Sequence, residues 1–185
     1  MESKNVLILL SGGLDSTACL NFYSELSYSV QCLFIDFGQL ARVNEFKSVK
    51  RICRFYKVPF SKIKVSGYQP MSKGFMRGRN LFLLSIAAMS NPWKSGLISI
   101  GIHKGTNYSD CSMEFLDTVQ KTIDIYESGK VAISAPFGLW TKNDIWEYCK
   151  ERNVPVECTY SCELGLKQPC GKCLSCQDLK KLHAR

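Results

Sequence analysis

The chain has 185 residues, 45% hydrophobic and 22% charged, the make-up of a globular protein with one sizeable core. No apolar stretch reaches the roughly 20 residues that a membrane helix needs, and Met1–Asn5 carries no signal-peptide pattern, so a cytoplasmic protein with no membrane partner is expected. A formal charge of +8 suits an anionic ligand, small or polymeric; the excess cations are scattered and Lys180, Lys181 and Arg185 form only a short basic tail, so nucleic acid is not expected as a partner.

Strand-like and helix-like segments alternate along the chain. Val6–Leu10 is a short apolar strand that runs directly into Ser11-Gly12-Gly13-Leu14-Asp15-Ser16, and residues 14–26 are helical. Gln31–Ile35 is a second strand, closed by Asp36-Phe37-Gly38-Gln39, and a helix covers 42–56 before a short strand at Ile63–Val65. The stretch 66–78, with three glycines and a proline, is a loop carrying Lys73 and Arg77. Asn80–Ser90 has a helical pattern stopped by Asn91-Pro92, Leu97–Gly101 is a buried strand, 112–126 a helix and Val131–Ser134 the last strand. Thr141-Lys142-Asn143-Asp144 has the form of a capping box opening a helix over 142–152.

Such alternation predicts an α/β, Rossmann-like parallel sheet with helices on both faces. Ligands of these sheets sit at the carboxyl ends of the strands, which brings Ser11–Ser16, Asp36–Gln39 and Gly101–Asp110 to one rim. The expected organisation is one domain over 1–157 and a small attachment over 158–185. His103 and Lys104, just past the fourth strand, lie on the same rim as phosphate or acid/base candidates or as plain loop surface.

The hexapeptide at Ser11 carries the chemistry. A buried strand ending in two glycines and restarting as a helix presents free backbone N–H groups and the positive end of a helix dipole, with no Cβ to keep an anion away. Ser11, Ser16 and Thr17 add hydroxyl donors. An ordinary strand–turn–helix corner would also carry Gly and Ser, but not this whole hexapeptide in this place. Asp15 beside phosphates needs a cation between them, which magnesium would supply; otherwise it serves only the helix N-terminus. No Lys follows the glycines, so this is not the common P-loop.

Of the ten cysteines, Cys19, Cys32, Cys53 and Cys149 sit singly in apolar segments as small core residues. Cys162, Cys170, Cys173 and Cys176 follow a C-x7-C-x2-C-x2-C spacing. Four thiolates close a tetrahedral structural zinc site, preferred here to an iron–sulfur cluster because no redox cofactor signal accompanies it. Such a site would staple the tail next to the rim. Cys158 is read as packed or exposed, not as a ligand.

The S-G-G-L-D-S loop resembles the pyrophosphate loop of the N-type ATP pyrophosphatases, the adenine nucleotide alpha hydrolase-like fold. With Asp36-Phe37-Gly38-Gln39, Arg42-Val43, Arg79-Asn80, Tyr108-Ser109-Asp110-Cys111, Glu114-Phe115, Ser161-Cys162 and Pro169-Cys170-Gly171-Lys172-Cys173-Leu174-Ser175-Cys176, the chain resembles the 7-cyano-7-deazaguanine synthases of the queuosine pathway over nearly its whole length. The resemblance implies adenylation of the carboxylate of 7-carboxy-7-deazaguanine by ATP with Mg2+. Ammonia then displaces AMP, and a second adenylation and elimination give the nitrile. It implies Ser11, Gly12, Gly13, Leu14, Asp15, Ser16, Asp36, Gly38, Gln39, Asn80 and Gly101 at the nucleotide, with Asp15, Ser16 and Arg79 as catalytic groups. Tyr108, Asp110 and Glu114 would meet the base, and a homodimer is implied. Arg79 has an alternative role in a surface salt bridge, Asn80 as a helix cap and Asp36 as a turn cap.

Two departures stand out. The chain is several dozen residues shorter than a typical synthase, chiefly around 66–78. It also reads Tyr108-Ser109-Asp110-Cys111-Ser112 where the family has Tyr-Ser-Gly-Tyr-Pro-Asp-Cys-Arg, losing an arginine near an anionic substrate. The adenylating machinery is thus better supported than the nitrile product. A ligase passing the activated carboxylate to a larger amine, one on a partner protein for example, is the nearest rival. An RNA-thiolating pyrophosphatase and a non-catalytic nucleotide-binding subunit are more distant.

Overall fold

The protein, a computed structural model, is described over residues 4–67, 76–106 and 108–183. Five parallel strands, β1 (Asn5–Leu9), β2 (Ser29–Asp36), β3 (Phe60–Lys64), β4 (Gly96–Ile100) and β5 (Val131–Ser134), form one sheet in the order β3-β2-β1-β4-β5. Six helices accompany them: α1 (Leu14–Glu25), α2 (Arg42–Tyr56), α3 (Arg79–Met89), α4 (Met113–Glu127), α5 (Lys142–Glu151) and α6 (Leu174–His183). Single 3-10 turns occur at Ser109–Cys111 and Val156–Cys158.

The pleat explains the layering. Along β1, Val6 and Ile8 point to one face, joined by Leu10, and Leu7 and Leu9 point to the other; all are buried because helices cover both sides. The first face packs against Leu14, Ala18 and Leu20 of α1, Val49 and Ile52 of α2, and Ile145 and Trp146 of α5. The second packs against Leu84 and Ala87 of α3 and Leu116, Val119 and Ile123 of α4. Cys19, Cys32, Cys53 and Cys149 are buried in the first cluster, as the sequence predicts. Burial drives the Cys19 thiol far above its ordinary range, so it is an inert packing group.

From β1 the chain steps through β2 to β3, then jumps across to β4 on the other side of β1. This reversal between β1 and β4 opens a crevice at the carboxyl ends of those two strands.

Most predicted elements are present within one or two residues; α2 and β5 coincide with their predicted limits. The strand predicted at 63–65 is Phe60–Lys64 instead, an edge strand of alternating partial exposure that lacks the apolar run of β1. The helix α6 was not predicted. Leu182 on it is 3% exposed and joins the core beside α1, α2 and α5, so core packing as well as any metal holds the tail. Of the loop 66–78, residues 68–75 lie outside the described residues.

Candidate active site

Ser11–Gly13 turns the chain out of β1. Gly12 has φ +84°, and a Cβ there would lie 2.7 Å from the Glu45 carbonyl oxygen and 3.0 Å from the Ser48 Cβ, so both the conformation and the space require glycine. Gly13 is the N-cap of α1 and provides no side chain to cap it, so the first amides of the helix have no capping side chain. The loop holds itself together: Thr17 Oγ1 and Ser16 Oγ donate to the Gly13 carbonyl at 2.7 and 3.2 Å, and the Ser11 and Ser16 hydroxyls lie 3.1 Å apart. Leu14 is buried beneath it. Gly101 closes the other wall, because a Cβ there would lie 2.7 Å from the Ser16 nitrogen. The ends of β1 and β4, two of the three predicted to share a rim, therefore meet.

Asp15 is met by a residue the sequence reading passed over. Lys142 Nζ donates to both Asp15 oxygens at 2.6 Å, with the two side chains only about a fifth exposed (22% for Asp15, 23% for Lys142). The predicted capping box aims it: Thr141 N donates to Asp144 Oδ2 at 2.8 Å and Asp144 N to Thr141 Oγ1 at 3.2 Å, setting the first turn of α5. Those bonds from Thr141 hold the Asp144 carboxyl below the usual range.

At the end of β2, Asp36 is buried and bound to Lys62 at 2.7 Å, and it accepts from Gly38 N at 3.2 Å. Burial alone would raise its carboxyl, but Lys62 and the Gly38 amide outweigh that and lower it. Asp36 thus does cap its turn, with the Lys62 ion pair in addition. Gln39 folds back to accept from Phe37 N and donate to Ile35 O, and its Nε2 also donates to Glu45 Oε2 at 2.9 Å. Burial pushes the half-buried Glu45 carboxyl up to about 7, opposed by Gln39 and by the charge of Arg79. Neither Lys62 nor Glu45 was anticipated; the Asp36–Lys62 pair comes from strand register, which one sequence does not reveal.

Arg79 is exposed, its Nε 3.4 Å from Asn80 Oδ1, and no carboxylate lies within ion-pair distance of it among the described residues. Asn80 is not the cap of α3; Gly78, at φ +74°, is. Asn80 is buried instead, its N–H donating to Asp110 Oδ2 at 3.2 Å and its Nδ2 to the Asp110 carbonyl at 2.7 Å. The buried Asp110 carboxylate thus sits at the positive end of α3, with Oδ2 engaged by Asn80 and Oδ1 4.0 Å from Cys111 Sγ. Tyr108 is half-buried and opens the same turn, and Glu114 is exposed in the first turn of α4. Ser112 is the N-cap of α4, accepting from Phe115 N at 3.1 Å. His103 bonds the Lys104 carbonyl at 2.8 Å, and Lys104 is exposed.

The four cysteines converge as their spacing predicts. The Sγ atoms of Cys162, Cys170, Cys173 and Cys176 lie within 4.8 Å of one another, and those of Cys170 and Cys176 are 3.9 Å apart. A tetrahedron of thiolates about 2.3 Å from one ion has edges of about 3.8 Å, so the set fits a single metal ion. Cys170 N donates to Cys162 Sγ, and Lys172 N and Cys173 N donate to Cys170 Sγ, at 3.3–3.4 Å. Burial would raise Cys162, but the amides of Cys170 and Leu164 bring it down to about 6, favouring the thiolate a metal needs. Cys158 stands apart, half-buried, its Sγ 4.0 Å from Glu157. The segment also reaches the loop directly: Tyr160 N donates to the Gly12 carbonyl at 2.8 Å.

The model of the family described as "Queuosine biosynthesis protein QueC" matches residues 5–74 and 67–183, in two pieces that meet at the loop read as shortened. The 7-cyano-7-deazaguanine synthase of Aquifex aeolicus (strain VF5) is 31% identical over 206 residues, covering 95% of this chain and 94% of that protein. That of Campylobacter jejuni subsp. doylei is 29% identical over 205 residues, covering 94% and 91%. Among solved structures, the U34-tRNA thiolase NcsA from Methanococcus maripaludis with its 4Fe-4S cluster superposes with a TM-score of 0.60 at 16% identity, over 100% of this chain and 65% of that one. NMN synthetase from Francisella tularensis gives 0.54 at 14%, over 99% and 78%. At such identities the solved structures speak for the fold alone.

Proposed function

The chain belongs to the QueC family of queuosine biosynthesis proteins, and from that membership we propose that it adenylates the carboxylate of 7-carboxy-7-deazaguanine with ATP, releasing pyrophosphate. Ammonia attacks the acyl adenylate and expels AMP to give the amide. Adenylation of the amide oxygen, then loss of AMP and a proton, gives 7-cyano-7-deazaguanine.

The observation that carries this is the glycine loop at the end of β1, leading into a helix with no side-chain cap and with its carboxylate paired to a lysine from α5. A carboxylate becomes an electrophile only when its oxygen leaves on a good leaving group, and the step is limited by charge building on the departing pyrophosphate. The loop amides, the Ser11 and Ser16 hydroxyls and Arg79 would meet that charge. Lys142 would hold Asp15 before the nucleotide arrives and turn to the phosphates afterwards. Magnesium, held through Asp15, would supply further charge neutralisation. Tyr108, Asp110 and Glu114 would receive the base. In the cysteine cluster the ion would be zinc, since the thiolates leave no open coordination position.

A second reading keeps the adenylation and changes the acceptor to a larger amine, such as one on a protein. Ser112 favours it: this residue stands where the family has an arginine, and its side chain is committed as a helix cap, so the acceptor side lacks that cation. RNA thiolation finds less support, because the family that matches is that of the queuosine biosynthesis proteins.

The test mixes protein, ATP, Mg2+ and 7-carboxy-7-deazaguanine with and without ammonium, following AMP and the mass of the base. Ammonium-dependent nitrile supports the synthase; base-dependent AMP without nitrile supports the larger acceptor. No base-dependent AMP would refute both. Sedimentation of the same sample measures the homodimer that belongs to this proposal.

A further inference from the structure

Four cations fall close together on α2, and the fold brings a fifth to them. On α2, Lys47, Lys50, Arg51 and Arg54 fall at i, i+3, i+4 and i+7, one exposed stripe that runs about 10 Å along the helix while Val49, Ile52 and Cys53 face the core. Facing the stripe is the C-terminal segment, which contributes Tyr160 and Lys167, and Asn44 closes one end. The result is a groove of about 500 Å³. Its walls are tied together, since Arg51 Nη2 donates to the Cys158 carbonyl at 3.1 Å and Asn44 Nδ2 to the Gly165 carbonyl at 2.9 Å.

Among the described residues, none of the five cations lies within 4 Å of a carboxylate. Glu45, the one acid on α2, turns away to Gln39, and Glu163 of the facing segment is bound to Ser175. Like charges held this close repel one another, so an anion bound across them is favoured. No residue of the Ser11–Ser16 loop lines the groove, so it is separate from the nucleotide site. The lining offers no aliphatic anchor of the kind that gives a protein interface its affinity. It offers a row of cations and one aromatic ring, which matches a regularly charged backbone carrying flat bases.

We propose that the groove between α2 and the metal-binding segment holds single-stranded nucleic acid, contacting its phosphates.

The test is fluorescence anisotropy of the full, metal-loaded protein with a labelled 12-nucleotide RNA across a salt series. If all five cations meet phosphates, log K falls against log salt with a slope of about −3.5, from ~0.7 per contact for a single strand. Lys47→Glu with Arg54→Glu should weaken binding at least tenfold and flatten the slope by about 1.4. Lys121→Glu with Lys130→Glu, the same charge change on the exposed surface around α4, should alter it by less than threefold. Equal melting temperatures and equal AMP formation verify that both double variants fold. Absence of salt-dependent binding, or equal weakening by both pairs, would overturn the assignment. So would a polyglutamate 12-mer binding as tightly as the RNA, which would assign the groove to an acidic protein segment.

Discussion

Lys142→Ala separates two roles of one contact. The ammonium donates to both oxygens of Asp15 at 2.6 Å, with 23% and 22% of the two side chains exposed. An exposed pair contributes about 0–1 kcal/mol, and breaking a fully buried one costs about 3–5 kcal/mol. This pair lies between, and the N-terminal dipole of α1 continues to stabilise Asp15, so a loss of about 1–2 kcal/mol is expected. For a chain of 185 residues, at ~2–4 °C per kcal/mol, melting falls by about 2–8 °C. If Lys142 also meets the departing pyrophosphate, its removal lowers the rate by about 100- to 1000-fold, the usual consequence of deleting one preorganised electrostatic donor. Pyrophosphate release at saturating ATP, measured well below the melting temperature, reads the second effect apart from the first. Lys142→Arg keeps the charge and should recover most of the rate. A Lys142→Ala protein that melts lower yet releases pyrophosphate within threefold of the parent would refute the reasoning and leave Lys142 a counter-ion only.

Glu45→Gln tests the carboxyl that burial raises from 4.5 to about 7. In that window the folded state keeps a proton that the unfolded state has released, so stability of the parent falls as pH rises from about 4.5 to 7. Denaturant unfolding at pH 5 and pH 8 should show Glu45→Gln gaining on the parent at the higher pH; a difference independent of pH would contradict the burial argument. Gly101→Ala should push back the start of α1, since the added Cβ would lie 2.7 Å from Ser16 N and 2.9 Å from the Asp15 carbonyl carbon; isothermal titration should find ATP affinity reduced at least tenfold. Cys173→Ser, or removal of the metal by a chelator, should loosen the Cys162–Cys176 segment. Amide exchange at Tyr160, whose N–H is bound to the Gly12 carbonyl, should then quicken along with the loss of metal seen by elemental analysis.

What was legible in the sequence shared one property: its physics is local. The apolar run of β1, the glycines after it, the capping box at Thr141 and the cysteine spacing each act within a few residues, and each is present. What was missed is made by register and packing. Lys142 reaches Asp15 across 127 positions, and Lys62 meets Asp36 because β3 pairs with β2 in one particular register. Asn80 looked like a helix cap because Asn favours that position, yet Gly78 takes the cap and Asn80 turns inward to Asp110. Helix α6 is short, and its first turn carries Cys176 of the metal set, so its amphipathic pattern is only partly legible from sequence.

The glycine loop is approached from two different parts of the chain. The Glu45 carbonyl of α2 closes the Cα side of Gly12, and the Tyr160 N–H from the metal-binding segment takes its carbonyl. A glycine is free to leave φ +84° for ordinary backbone space, and the Tyr160 bond is one restraint against it. Loop amides stabilise charge without reorganisation only while they already point at it. The cysteine cluster anchors Tyr160 from one side, and the bond from Arg51 to the Cys158 carbonyl anchors it from α2. On the proposed function, the cysteine segment would therefore serve the phosphate site as a positioning element, reaching the Ser11–Ser16 loop from nearly 150 positions away.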